Sequence, residues 1–197
     1  MVNAIKLLKE LDVYPVFDVN IVSALTGKST QYSKLLLNRL KNKKYISHLG
    51  RNKYTVRTDP FVFASRIYWP SYISTWSAIR YYNISEHLPQ TIDVVTARRP
   101  RKKTIKFMNS TINFVSVKPK VMFAYKKITS EGSELFIAEL EKAIADGVAF
   151  KRISMPEAID LCRNKKVDSN KVKRYLSIIG NRSLKQKIDI LFKELVD

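Results

Sequence analysis

The chain has 197 residues, with 36 Lys+Arg against 17 Asp+Glu and a formal net charge of +19. Hydrophobic residues make up 45% of it, enough for packed cores, which excludes a wholly disordered basic tail. A single cysteine, Cys162, excludes a disulfide framework, and two distant histidines, His48 and His87, spell out no zinc module.

The length suits one ordinary domain or two small ones. The opening Met1–Ile5 carries no basic segment followed by an apolar run, and no apolar stretch approaches the ~18 residues of a membrane span. A cytoplasmic protein is expected. Residues 1–58 hold 11 basic and 3 acidic side chains (net +8), residues 59–127 hold 12 and 3 (net +9), and residues 128–197 hold 13 and 11 (net +2). Uniform solvating charge would not divide this way, so a nucleic acid is the favoured polyanionic partner. A membrane surface is disfavoured, because no segment is both basic and an aliphatic amphipathic helix.

Residues 1–58 read as a winged helix-turn-helix. Asn3 is placed to cap a helix with Ala4, Leu7, Leu8 and Leu11 on one face, and Pro15 stops it. Asp18 caps a second helix, Val19 to Thr26, ended by Gly27 in the left-handed region. Ser29 or Thr30 caps a third, whose inner face is Ser33, Leu36, Leu37 and Leu40 and whose end carries Lys41, Lys43 and Lys44. A strand from Tyr45 to Leu49, a turn at Gly50-Arg51-Asn52 and a return from Lys53 to Arg57 complete a basic hairpin. In that geometry the third helix enters the major groove. Ser29, Thr30, Gln31, Lys34 and Asn38 are its outward DNA-binding candidates, Gln31 and Asn38 having the paired donor and acceptor that suit an adenine edge. Arg51, Asn52 and Lys53 at the hairpin tip would reach phosphate or an adjacent minor groove. A protein-interaction role is the alternative use of such a domain.

Residues 59–70 form an aromatic connecting segment, too apolar to hang free, with a short helix expected over Phe61–Tyr68. Residues 71–197 read as an α+β domain. A helix capped by Ser74 runs to Tyr82, with Asn83 as its left-handed stop. Runs at 91–96, 104–108, 112–117 and 121–128 suggest an antiparallel meander, with 135–137 as a further strand. Helices follow at 138–148, after the capping box Ser154-Met155-Pro156-Glu157, around Val172–Ile179 and around Ile188–Leu195. The run Arg98, Arg99, Pro100, Arg101, Lys102, Lys103 is expected at a hairpin end or sheet edge, either clamping phosphate or protecting the edge from aggregation.

Three stretches of this second domain resemble successive motifs of the AbiEi-family antitoxin domain. They are Ser71-Tyr72-Ile73-Ser74 with Ser77-Ala78, Ile92–Thr96 running into the basic run, and Ile137–Ala143 with Asp146. The family is the antitoxin half of abortive-infection type IV toxin–antitoxin pairs, and a preceding winged helix matches its usual order. The resemblance implies binding of double-stranded promoter DNA at inverted repeats, repression of the protein's own operon, and functional pairing with a nucleotidyltransferase-like toxin. It also implies auxiliary DNA contacts from Arg98, Arg99, Arg101, Lys102 and Lys103. Glu141, Lys142 and Asp146 suit ion pairing and packing on one helix. Asn83 stands where the family commonly has Gly, and residues 153–197 match none of its pattern.

An enzyme is not expected. Asp93, Glu139 and Lys142 lack the alternating acid–lysine spacing of a metal-dependent nuclease, and glycine-rich phosphate loops and elbow serines are absent. No cofactor or metal is expected, and Cys162 lies on an apolar helix face. Two other readings are a stand-alone winged-helix transcriptional regulator and an RNA-binding module. In the second, Tyr81, Tyr82, Phe107 and Phe114 would stack on bases instead of filling the sheet's core.

Overall fold

Asn3, Asp18 and Ser29 each use a side-chain oxygen to accept from backbone N–H groups one turn ahead, and each starts a helix. These are α1 (Ala4–Leu11), α2 (Val19–Thr26) and α3 (Thr30–Asn42). The computed structural model describes residues 3–85 and 90–180. Gly27 ends α2 at φ +63, where only the missing Cβ makes the backbone comfortable. The apolar stripes then meet: Leu7, Leu11, Val22, Leu37, Leu40 and Ile46 close one small core around Phe17. Each such burial contributes about 1.5–3 kcal/mol.

The hairpin pairs β1 (Ser47–Gly50) with β2 (Lys53–Thr55), antiparallel. Phe17 and Tyr54 exchange two backbone hydrogen bonds of 2.9 Å, which fastens the hairpin to the loop before α2. The register shifts between His48 and Gly50, and Leu49 packs into the second, larger core instead of the first.

That larger core lies around a six-stranded sheet. Its strands are β3 (Ser71–Ser74), β4 (Thr91–Thr96), β5 (Thr104–Phe107), β6 (Ser110–Ser116), β7 (Tyr125–Ser130) and β8 (Ser133–Ala138), in the order β5-β6-β4-β3-β8-β7. The connecting segment contributes α4 (Pro60–Phe63) and a 3-10 turn (Ala64–Arg66), shorter than the expected helix. The helices of this part are α5 (Thr75–Tyr81), α6 (Leu140–Ala149), α7 (Met155–Cys162) and α8 (Ser169–Ile179). The architecture is α+β: eight α-helices among the described residues, a mixed sheet and a small antiparallel one.

Two expectations are corrected. The sheet is mixed, not an antiparallel meander, because β4 pairs β6 in parallel and β3 pairs β8 in parallel. Ser74 holds the N-cap position of the helix that starts at Thr75, as expected, but makes no side-chain cap: it ends the fully buried strand Ser71–Ser74 and its hydroxyl turns instead to Asp146. Asn83 does adopt the left-handed conformation, at φ +54, and the capping box of Ser154 with Glu157 forms in full. The helix expected around Ile188–Leu195 lies outside the described residues. No helix among the described residues is long and apolar enough to cross a membrane.

Candidate nucleic-acid interface

The inward stripe of α3 fixes what its other side presents. With Ser33, Leu37 and Leu40 buried, Gln31, Lys34 and Asn38 fall together on the exposed side, beside Thr30 and Ser29 at the helix start. Ser29 is partly committed, since its Oγ accepts from the Tyr32 N–H at 3.2 Å. Leu35 stands among these polar groups and is 60% exposed. Sequence reasoning passed over it, although it falls off the inward spacing of 33, 36, 37 and 40. An apolar side chain there has the chemistry to meet a thymine methyl.

The three hairpin-tip residues divide. Arg51 is exposed. Asn52 takes φ +54 and its Oδ1 accepts from the Val19 N–H at 3.2 Å, so that oxygen ties the turn to the start of α2. Lys53 is half-buried, its ammonium 5.6 Å from the centre of the Tyr68 ring, and burial pulls its pKa down. It joins the hairpin to the connecting segment.

The basic run is a crossover. β4 and β5 are separated by β6, so residues 97–103 pass over the end of β6 at Ser116, whose hydroxyl donates to the Arg98 carbonyl at 3.0 Å. Arg98 anchors the loop: its Nε donates to the Trp69 carbonyl at 3.0 Å and its N–H to Thr96 Oγ1 at 3.1 Å. Thr96 Oγ1 in turn donates to the Pro70 carbonyl at 2.8 Å, across from the cis Trp69–Pro70 bond. Arg99, Arg101, Lys102 and Lys103 are exposed, and no ion pair among the described residues engages them.

One residue links these parts. His48 is exposed on β1, its ring 5.1 Å from that of its cross-strand partner Tyr54. Partial burial holds its pKa below the ordinary imidazole range, and the charges of Lys41 from α3 and Lys102 from the crossover push it the same way. The end of α3, the hairpin and the basic loop therefore bear electrostatically on one imidazole. Neither that convergence nor His48 itself is visible in local sequence, because Lys41 and Lys102 are brought together only by the fold.

The residues weighed for other chemistries go elsewhere. Asp93 accepts from Thr75 Oγ1 at 2.9 Å and Asn113 Nδ2 at 2.7 Å and pairs with Arg152 at 3.4 Å. Glu139 pairs with Lys171 at 2.8 Å, and Lys142 with Asp146, so Asp93, Glu139 and Lys142 form no common centre. No metal-holding group of three or more His, Cys, Asp or Glu occurs among the described residues. Burial pushes the Cys162 thiol up to about 11. Phe107 and Phe114 are buried edge-on against Phe63 and Tyr68, and Tyr82 donates to the Ala138 carbonyl at 2.9 Å. Of the four aromatics considered for base stacking, only Tyr81 is exposed. No protein-family model matches the chain, and no curated protein matches it significantly.

Proposed function

We propose that this protein is a DNA-binding antitoxin of an AbiEi-like pair. In this reading residues 1–58 act as a winged helix-turn-helix that binds repeats in the protein's own promoter, and residues 71–197 counteract a nucleotidyltransferase-like toxin. The observation that carries the DNA part is the convergence of Lys41, His48 and Lys102 beside an exposed polar face of α3. Basic side chains gathered from α3 and the crossover around one imidazole give this face a positive field that suits a polyanion. The antitoxin part rests on the motif resemblance. A gel-shift titration with the upstream region of its own gene tests the first part. Growth rescue on co-expression with a neighbouring nucleotidyltransferase-like gene tests the second; repression without rescue would leave a plain transcriptional regulator.

Gln31→Ala or Asn38→Ala is expected to weaken promoter binding by about 1–3 kcal/mol, the value of a bidentate base contact. Unchanged affinity in both variants would remove α3 as the reading element.

His48 gives the binding a pH signature. Its depressed pKa leaves the ring neutral at pH 7, and nearby phosphates would raise that pKa. A group whose pKa rises on binding favours the complex increasingly as pH falls, by about tenfold in affinity per unit raised. Promoter affinity measured from pH 7.5 to about 5.5 should therefore climb in the wild type more steeply than in His48→Gln. Parallel profiles would place His48 away from the duplex.

A further inference from the structure

The connecting segment, α5 and the sheet line an open cleft of about 370 Å³, within the size range of small-molecule sites, with Asp59, Arg80 and Tyr81 exposed at its rim. Its walls include Asp59 and Phe61 from the segment and Arg80 and Tyr81 from α5. The Phe61 and Tyr81 rings lie 6.3 Å apart and only 19° from parallel. Tyr81 keeps 41% of its surface open and also meets Tyr82 edge-on at 5.2 Å, which fixes its ring at the cleft. Arg80 and Asp59 line the same cleft with opposite charges, yet they form no ion pair with each other, nor with any other described residue. One Asp59 oxygen accepts from the Phe61 N–H at 2.9 Å and so holds the carboxylate at the start of α4. Asn83, fixed at φ +54 just after α5, closes the same wall with a polar side chain.

We infer that this cleft binds a free aromatic α-amino acid. The ring lies against Phe61 and Tyr81, the carboxylate faces Arg80, and the ammonium faces Asp59. The two unpaired charges decide among planar ligands. An aromatic acid without an ammonium would leave Asp59 facing an anion, and an aromatic amine would leave Arg80 facing a cation. An internal residue of a peptide offers neither charge. The guanidinium fork matches a carboxylate, and its planar face adds to an aromatic site. The site lies between the connecting segment, α5 and the sheet and stands independently of the DNA reading.

Isothermal titration of the full chain with L-phenylalanine, L-tyrosine and L-tryptophan tests the assignment. At least one is expected to bind saturably at one site. Phenethylamine, which lacks the carboxylate, 3-phenylpropionate, which lacks the ammonium, and L-leucine, which lacks the ring, should each bind about tenfold or more weakly. Arg80→Gln and Asp59→Asn should each cost a similar factor, and Asn still accepts the Phe61 N–H, so α4 keeps its cap. Circular-dichroism melts of both variants report whether the fold is intact. Absence of saturable binding of all three amino acids to folded wild-type protein overturns the proposal. So does equal affinity for the singly charged analogues, or an unchanged affinity in a folded Arg80→Gln variant.

Discussion

Lys142→Met is expected to lower the unfolding free energy by about 3–5 kcal/mol, a large share of the stability of a chain this size. Lys142 and Asp146 lie one turn apart on α6 and neither side chain reaches solvent. The ammonium donates to Asp146 and, at 2.7 Å, to the Tyr72 hydroxyl; that hydroxyl donates on to Asp146 at 3.1 Å, and Ser74 donates to the same carboxylate at 2.8 Å. The Phe123 ring lies 4.8 Å from the ammonium. Burial pushes the carboxyl up and the ammonium down, and the partner charge opposes both shifts, joined at Asp146 by the Tyr72 and Ser74 hydroxyls. Removing the lysine leaves an aspartate in an apolar interior with two hydroxyl donors. Urea denaturation should therefore show Lys142→Met and Asp146→Leu each strongly destabilised. The double variant should lose less than the sum of the two, because two apolar chains need no compensation. Additive losses, or a Lys142→Met cost below about 1 kcal/mol, would show that the pair is not the ionic centre of this core. The exposed Lys6–Glu10 pair, 3.9 Å apart, is a useful contrast and should contribute almost nothing.

The same cluster shows how far sequence reading reaches. Lys142 and Asp146 at i and i+4 on a helix are legible as an ion pair, since helical spacing alone places them together. That both are fully buried is not legible, because Tyr72 and Ser74 come from a strand seventy residues away. Local signals served well elsewhere: the oxygens of Asn3, Asp18 and Ser29, the left-handed Gly27, the hairpin turn at 50–52 and the Ser154–Glu157 box all depend on neighbours within a few residues. The strands were harder. β3 is buried at all four positions and β4 at five of six, so neither alternates, and Ser74 is both the last residue of β3 and the N-cap of α5. Parallel pairing of β4 with β6 depends on a crossover, which periodicity does not encode. For the interface, the outward residues of α3 follow from the inward stripe. The separate jobs of Arg98, Asn52 and Lys53 follow only from what lies across the fold from them.

Replacing Arg99, Arg101 and Lys102 together by Gln is expected to flatten the salt dependence of promoter binding. Each phosphate contact contributes about 0.9 to the slope of log K against log salt, so three contacts amount to about 2.7. The three side chains are exposed and enter no ion pair among the described residues, so thermal unfolding should stay unchanged. That separates them from Arg98, whose guanidinium Nε donates to the Trp69 carbonyl and helps hold the crossover in place, so that its loss would disturb the loop itself. The position of the run matters as much as its charge. Screening extinguishes surface interactions beyond about 8–10 Å at physiological salt, so a basic loop remote from the reading helix would add little to a duplex docked there. Lys102 acts electrostatically on His48 of the hairpin, and under the proposed function that nearness would let the loop reach phosphates flanking the groove that α3 enters. Fluorescence anisotropy with the upstream duplex across a range of potassium chloride reads the slope directly. A slope identical to wild type, with folding intact, would reduce residues 98–103 to a solvated crossover and confine DNA contact to the first 58 residues. A slope reduced with the order of affinities among mutated promoter sequences unchanged would assign the loop to phosphate alone, leaving base choice to Gln31, Asn38 and their neighbours on α3.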